Sequence, residues 1–547
     1  MMDQQSPISK LTERFQELKD VRVPYESQWR DIADYLGTTR GSDVKAEKNA
    51  LRGRKIYDAH GRTAKARLTA QLHGGMVNPL SPWAIAKPSR EEPDKEAALW
   101  FDKTTRRLHQ FLTSTTSLFS VALAEYIDDL ITFGNGYIWL GEEPGKGPMF
   151  RAVSVWNCWV DVDEHGRVDT LYRQYKMKAG RAAKKWPESE KLADAAKKDP
   201  NREVTIIHAV EPRVDYQADM DADAPTNKPW RDVQFYLEGP EILEEGGRDR
   251  FPYAVGRFYK RPDETYGYGP ADEALPDIRL ANAISETVLR MADLAADPPL
   301  MMPVGFMVRR IDRRAGAINY YDASKALLSR GDPVANLQKT GDVQLGVAML
   351  DMVHDKIEAA FFSDWMTLPN NVAETATAVN DRKDLRAAGM AHMIVRQEVE
   401  ALDPIAEHGF EVLEKLDWFD PPPESLIGSD LRFTYRTPLH LALQRGEVDA
   451  VVRFIGVIQQ METISPGTAK QVLNVEETSR FMAARVGLPL MLLNPPEEVA
   501  AKKKEQEEAE ANAANVSQIA QGAQAAQAGS QAMANLGMTP EDLGAFQ

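Results

Sequence analysis

The chain has 547 residues, 43% of them apolar, enough for several buried cores. Its formal net charge of −16 argues against a protein that grips nucleic acid by neutralising phosphates, because such binding needs clustered Lys and Arg that release counterions. A surface that DNA slides past stays compatible with that charge, since salt screens the repulsion beyond about 8 to 10 Å. The single cysteine, Cys158, excludes an intrachain disulfide framework and fits a reducing compartment. No apolar run reaches the roughly 18 residues of a membrane span, and Met1-Met2-Asp3-Gln4-Gln5 lacks the basic-then-apolar pattern of a secretory signal, so a soluble chain made in the cytosol is expected.

In chain order, Leu11, Phe15, Leu18, Tyr25, Trp29, Ile32 and Leu36 predict a helix over 6–36, interrupted near Pro24. The stretch 37–55 is polar and basic (Arg40, Lys45, Lys48, Arg52, Arg54, Lys55), readable as a contact for an anionic partner or simply as a solvated loop. Helices are expected over 57–77, 95–114 and 118–133, the last ending at Phe133-Gly134-Asn135-Gly136. Strands are expected at Tyr137–Leu140, Val153–Val162, Val168–Met177, Val204–Val210, Val233–Leu237 and Tyr253–Phe258, with Asp163-Glu164-His165-Gly166 as a hairpin turn.

The central stretch runs from Tyr266 to Leu368. Tyr266-Gly267-Tyr268-Gly269-Pro270 opens it, with two glycines that permit tight backbone geometry and a proline suited to a first helical position. Ala274, Leu275, Ile278, Ala281, Ile284, Val288, Ala292 and Ala295 then mark one helical face, until Asp297-Pro298-Pro299 stops it. This outbound helix has about 27 residues, or about 40 Å. A return helix of roughly 35 Å carries Val343, Val347, Leu350, Val353, Ile357, Phe361 and Trp365 on one face and ends before Pro369. Between them, Met302–Val308 and Ala317–Tyr321 lean to strand, so a small module sits at the tip of a two-helix stalk. The outbound helix carries six acids (Asp272, Glu273, Asp277, Glu286, Asp293, Asp297) against Arg279 and Arg290, and the return helix has Asp351, Asp355, Glu358 and Asp364 against Lys356. The tip reverses this balance, with Arg309, Arg310, Arg313, Arg314, Lys325, Arg330 and Lys339 against four acids.

Beyond Pro369, residues 367–377 are small and polar. A long helix follows over about 378–416, kinked at Pro404 and ended by Pro421-Pro422-Pro423. A short strand and several helices are expected over 431–493. From Glu497 the composition turns charged and then rich in Ala, Gln, Gly, Asn and Ser, too poor in apolar surface to form a core alone.

Chemistry for catalysis is not evident in the sequence. Gly141 to Gly147 with Lys146 is one residue short of a phosphate loop and has Gly147 where Ser or Thr is needed, which favours a turn at a strand end. Asp161, Asp163 and His165 begin like a calcium loop, but the twelfth position is Tyr172, so the ligand set fails. The histidines are scattered, and Cys158 has no second cysteine for zinc. Neither a Gly-x-Ser-x-Gly elbow nor a carboxylate pair brought together by the sequence is present, so neither enzyme activity nor a cofactor is expected.

Tyr266 to Pro270 with Leu275, Asp277, Ile278 and Asn282, the Asp297-Pro298-Pro299 stop, and Glu374-Thr375-Ala376-Thr377-Ala378-Val379 with Arg382 together resemble the portal proteins, or head-to-tail connectors, of short-tailed bacteriophages. The order and spacing of these motifs, more than any one of them, carry the resemblance. It implies an α+β, mainly helical portal fold. The wing begins over 1–265, and 266–297 and 343–368 are stem helices around a clip at 298–342. A channel loop at 369–378 leads to a long kinked wing helix at 379–430. C-terminal wing or crown helices at 431–496 precede a crown helix or disordered tail at 497–547.

By the same resemblance the chain forms a ring of about twelve copies at one capsid vertex of the virion. Double-stranded DNA passes through it, and the terminase large subunit, tail adaptor or tail tube proteins, and the capsid and scaffolding proteins are its partners. Another phage head-tail ring is the alternative, and a DNA-processing enzyme the more distant one. Asn370, Asn371, Glu374, Thr375 and Thr377 are candidates for the channel constriction, because small polar side chains touch DNA without holding it. Arg309, Arg310, Arg313 and Arg314 are candidates for docking a motor or adaptor, or for facing DNA at the exit. Asp277, Arg279, Glu286, Arg290, Asp293, Asp351, Asp355 and Glu358 are candidates for lining the channel or pairing between subunits.

Overall fold

A computed structural model describes residues 7–36, 56–88, 95–217, 227–296, 300–301, 335–336, 343–363, 391–426, 431–437, 450–461 and 474–486, with isolated helical positions besides. The fold is α+β. Helices α1 (Pro7–Leu36) and α2 (His60–Met76) lead to strand β1 (Ala84–Pro88), α3 (Lys95–Leu112) and α4 (Phe119–Phe133). Strands β2 (Asn135–Glu143), β3 (Gly147–Val153), β4 (Cys158–Val162) and β5 (Val168–Lys178) precede two short helices, α5 (Ala179–Lys185) and α6 (Glu190–Lys198). Then come β6 (Glu203–Pro212), β7 (Trp230–Tyr236), β8 (Glu241–Arg248) and β9 (Tyr253–Arg257).

Two antiparallel sheets result, a three-stranded one in the order β3-β2-β9 and a five-stranded meander β4-β5-β6-β7-β8. Strand β6 is buried along most of its length because both faces are covered. Ile207 and Ala209 meet Leu11, Phe15 and Leu18 of α1, while Val204 and Ile206 meet the α5–α6 pair. The alternation of side chains across a strand puts consecutive residues into these two separate cores.

Helix α1 runs unbroken through Pro24, where the sequence pattern predicts an interruption. Pro24 lies on the exposed side, as does Asp20, whose carbonyl loses its helical partner and stays open to water. The helix is held on both sides of the proline. Arg22 is buried and donates to the carbonyls of Val155, Trp156 and Cys158, and Trp29 meets Phe133, Trp156 and Tyr266 edge-on. Tertiary packing thus overrides the local helix-breaking preference.

The two stalk helices are α7 (Pro270–Ala296) and α8 (Val343–Ala360), which lie against each other. The outbound helix has 27 residues and the expected bounds, with Pro276 tolerated inside it on the exposed side. The return helix is shorter than its periodicity indicates. It stops at Ala360, where Phe362 takes a left-handed φ of 53° and the chain turns to bury Phe361 and Ser363. Strands β10 (Leu300–Met301) and β11 (Ala335–Asn336) pair antiparallel just past the tip end of α7.

Helix α9 (Ala391–Gln397), a π-helical turn (Glu398–Leu402) and α10 (Asp403–Lys415) occupy part of the predicted long helix, so the break expected at Pro404 takes the form of a π-turn just before it. Strand β12 (Leu431–Tyr435) then returns to pair with β1, and further helices span 450–461 and Val475–Val486.

Replacing Trp29 with Ala removes the ring that α1, α4 and the 155–157 turn share. It is expected to cost about 3–5 kcal/mol, read as a lowered midpoint in thermal unfolding followed by circular dichroism.

Candidate functional site

The stalk leaves the rest of the chain through a joint at Tyr266 to Pro270. The buried side-chain amide of Asn135 closes two hydrogen bonds on Gly267: its Nδ2 donates to the Gly267 carbonyl (3.0 Å), and its Oδ1 accepts from the Gly267 amide (2.8 Å). The backbone here is pressed against the end of α4. A Cβ on Gly267 would lie 2.6 Å from the Gly134 carbonyl oxygen, and one on Gly269 would lie 2.8 Å from that of Ile131. Close approach, rather than an unusual φ, requires these two glycines.

Asp272 at the third helical position accepts from the Gly269 amide (2.7 Å), and Gln28 of α1 donates to its other oxygen (2.7 Å). This is the return half of a capping box, made by an aspartate. Burial, only partly offset by the Gly269 amide, pushes the Asp272 carboxyl up to about 6.

Above the joint the stalk is packed at its base and uncovered toward its tip. Ala274, Leu275, Ile278 and Ala281 of α7 and Val353, Ile357 and Phe361 after it in the return arm belong to the main core. Leu280 and Leu289 of α7 and Leu345, Val347, Met349 and Met352 of α8 are exposed, Leu345 by 60% and Met352 by 65%; Leu345, Met349 and Met352 recur at helical spacing on one face of α8. Gly346 lets the helices meet closely, since a Cβ there would come 2.7 Å from Val288.

The seam between α2 and α8 is polar. The rings of His60 and His354 stack at 4.0 Å, His354 Nε2 lies 2.8 Å from Asp58, and Glu358 lies within 3.3 Å of both His60 and Arg67. Helix α7 joins this seam through Asn282, which accepts from the Tyr57 amide (2.7 Å), and through Ser285, which donates to Asp58 (3.3 Å).

Within the single chain the expected stem residues have these partners. Arg279 pairs with Asp31 of α1 (2.5 Å), and Arg290 pairs with Glu286 one turn away (2.6 Å). Asp293, Asp351 and Asp355 are exposed, and Asp277 is half-buried. Glu358 is drawn into the α2 seam described above. The expected channel residues Asn370, Asn371, Glu374, Thr375 and Thr377, the clip residues Arg309, Arg310, Arg313 and Arg314, and the basic stretch 37–55 lie outside the described residues. Sequence reasoning missed Asn135, Asp58 and the histidine stack. The run Gly134-Asn135-Gly136 was visible as a helix end, but nothing in it announces a partner more than a hundred residues away.

The hairpin readings hold. Lys146 is tied to Glu143 (2.6 Å) in the β2–β3 turn, and Asp163 accepts from the amides of His165 (2.9 Å) and Arg167 (2.7 Å) between β4 and β5. Burial pushes the Cys158 thiol up to about 12. Among the described residues, no group of three or more His, Cys, Asp or Glu is placed to hold a metal, and no helix is long and apolar enough to cross a membrane.

Residues 9–493 match the family model described as bacteriophage head to tail connecting protein. The chain belongs to that family. Its similarity to two curated relatives extends nearly end to end in this connector family. One is the "Probable portal protein" of Bordetella phage BPP-1, 27% identical over 529 residues that cover 92% of each chain. The other is the "Portal protein" of Salmonella phage epsilon15, 23% identical over 513 residues that cover 91% of this chain and 90% of the relative. The resemblance carried by the stem-root motif and its neighbours is therefore borne out at the level of the family.

Two outcomes test the joint. Asn135→Ala strands the Gly267 amide and carbonyl, each costing about 1–3 kcal/mol, and should lower the unfolding midpoint more than a typical surface change. The raised Asp272 carboxyl means that the folded chain binds a proton the unfolded chain has released between about pH 4 and 6. Its contribution therefore makes the protein more stable as pH falls through 6, and Asp272→Asn should flatten that part of the stability–pH curve.

Proposed function

We propose that the chain is the subunit of a closed ring of about twelve copies, set at one capsid vertex. Double-stranded DNA is packaged and ejected through this ring, and terminase and tail proteins dock on it. The observation that carries this reading is the uncovered apolar face of the stalk. Leu345, Met349 and Met352 lie exposed on one face of α8, with Leu280, Leu289 and Val347 exposed elsewhere on the two helices, whose described core contacts lie toward their base. Exposed apolar residues that recur on one helical face, as Leu345, Met349 and Met352 do, mark an interaction site. A head-to-tail contact repeated around an axis covers it on every subunit once the ring closes.

In this reading 1–265 and 379–430 are wing, 266–297 and 343–368 stem, 298–342 clip, 369–378 channel loop, 431–496 C-terminal wing or crown helices and 497–547 a crown helix or disordered tail. The acids Asp293, Asp351 and Asp355, exposed on the stalk, give the channel a surface that DNA passes without sticking. A separate ATP-hydrolysing terminase supplies the work. The bases Arg309, Arg310, Arg313 and Arg314 dock an acidic face of that motor or of a tail adaptor, with long-range attraction speeding the encounter.

Leu345→Glu combined with Met352→Glu is expected to leave a folded chain and shift its mass in solution from ring to monomer. A ring mass retained by this variant counts against the stalk as the assembly face. Replacing Arg309, Arg310, Arg313 and Arg314 with Glu should keep the ring but weaken terminase or adaptor docking, and unchanged packaging and tail attachment would reject that role.

A further inference from the structure

Arg257, at the end of β9, is a nearly buried cation placed among three separate parts of the chain. Its guanidinium meets Glu400 of the π-turn at 2.6 Å through Nη2 and 3.2 Å through Nε, while its backbone amide donates to the other Glu400 oxygen at 2.8 Å. The same group donates to the Gly166 carbonyl of the β4–β5 hairpin (3.0 Å) and to the Thr265 carbonyl (3.4 Å), the residue just before the joint of the stalk.

Three residues earlier, Gln397 is buried. It donates to the Arg257 carbonyl (2.7 Å) and accepts from the Tyr126 hydroxyl of α4 (2.5 Å). Space for this contact is kept by Gly256, where a Cβ would overlap that hydroxyl.

The π-turn is what presents Gln397 and Glu400 together. Buried positions recur every fourth residue at Met393, Gln397, Ala401, Ile405 and Gly409. A straight α-helix repeats every 3.6, so over four turns this stripe holds roughly one and a half residues too many. The wide turn at Glu398–Leu402 absorbs the surplus and keeps both halves of the helix facing the same sheet. Pro404 favours the break, because it has no amide proton to give the carbonyl of Glu400.

We propose that Arg257 and Glu400 are positioning residues: the π-turn clamps Glu400 onto Arg257, and this clamp fixes the direction of α9, the first described helix after 364–390, relative to the root of the outbound stem helix. A buried cation whose Nε and Nη2 converge on one Glu400 oxygen, while its backbone amide takes the other, suits this role better than apolar packing does. Its hydrogen bonds are directional, and without Glu400 the buried Arg257 cation is left with the neutral carbonyls of Gly166 and Thr265, whereas Glu400 without Arg257 still meets Arg396 at 3.3 Å. One guanidinium shared by Glu400, Thr265 and Gly166 makes the stem root and α9 neighbours through a single group.

The test is hydrogen exchange, read by mass spectrometry on the full-length protein in its assembled form. Glu400→Gln and Arg257→Lys are each expected to speed exchange in peptides covering 255–270 and 391–402 by about tenfold, while β5, β6 and α2 keep their wild-type protection. The paired variant Arg257→Met with Glu400→Met replaces the ion pair by apolar groups and is expected to restore the unfolding midpoint. It should leave 265–270 exchanging fast, because the bonds to Thr265 and Gly166 are gone. Uniform acceleration over the whole chain in the single variants, or wild-type protection of 265–270 in the paired variant, would show that the pair serves stability alone and overturn the proposal.

Discussion

The stalk depends on how tightly α7 is seated against the end of α4. At that point two backbones come within contact distance, which requires glycine at 267 and 269, and the paired hydrogen bonds of Asn135 keep the buried Gly267 amide and carbonyl satisfied. A side chain at either glycine would force the helix away from the core. An unpaired Gly267 would bear the full cost of burying a polar group. The capping contacts of Asp272 with Gly269 and Gln28 then set where the helix begins and tie it to α1. Beyond this joint α7 is held further by the main core and by the pairing of Arg279 with Asp31.

The bounds of α7 were readable because proline opens the helix, a helical stripe of apolar residues continues it, and Asp297-Pro298-Pro299 ends it. The strands around the Asp163 turn were readable because turn residues separate runs of alternating apolar character. Pro24 misled because a local preference lost to Arg22 and Trp29, whose partners lie more than a hundred residues away. The pairing of β1 with β12 joins residues about 350 apart, as in Ala84 with Tyr435, and leaves no local signal at either end. The π-turn did leave one, in the fourfold spacing from Met393 to Gly409, which a search for 3.6-residue periodicity passes over. Of the candidate site, the acidic stalk residues were legible. The polar seam of Asp58, His60, His354 and Glu358 was not, since only folding brings α2 beside α8.

The two seams of the stalk differ in kind, and the difference bears on what each can do. Along the base, α7 and α8 bury Ile278, Ala281, Val353 and Ile357 in the main core, a contact with no other good partner. Against α2, α8 instead presents a histidine and a carboxylate, and such groups accept alternative hydrogen-bonding partners at small cost. Toward the tip, among the described residues, Gly346 of α8 packs against Val288 of α7, while Leu289, Leu345, Val347 and Met349 remain exposed. The family match and the exposed leucines and methionines of the stalk both fit a subunit that packs against its neighbours.

The most direct measurement is electron microscopy of the purified full-length protein at a resolution that traces helices. Closed rings are expected, in which the Leu345–Met352 face of one subunit lies against the stalk of the next. Rings that leave this face in solvent, or a protein that remains a monomer at every concentration, would contradict this assembly.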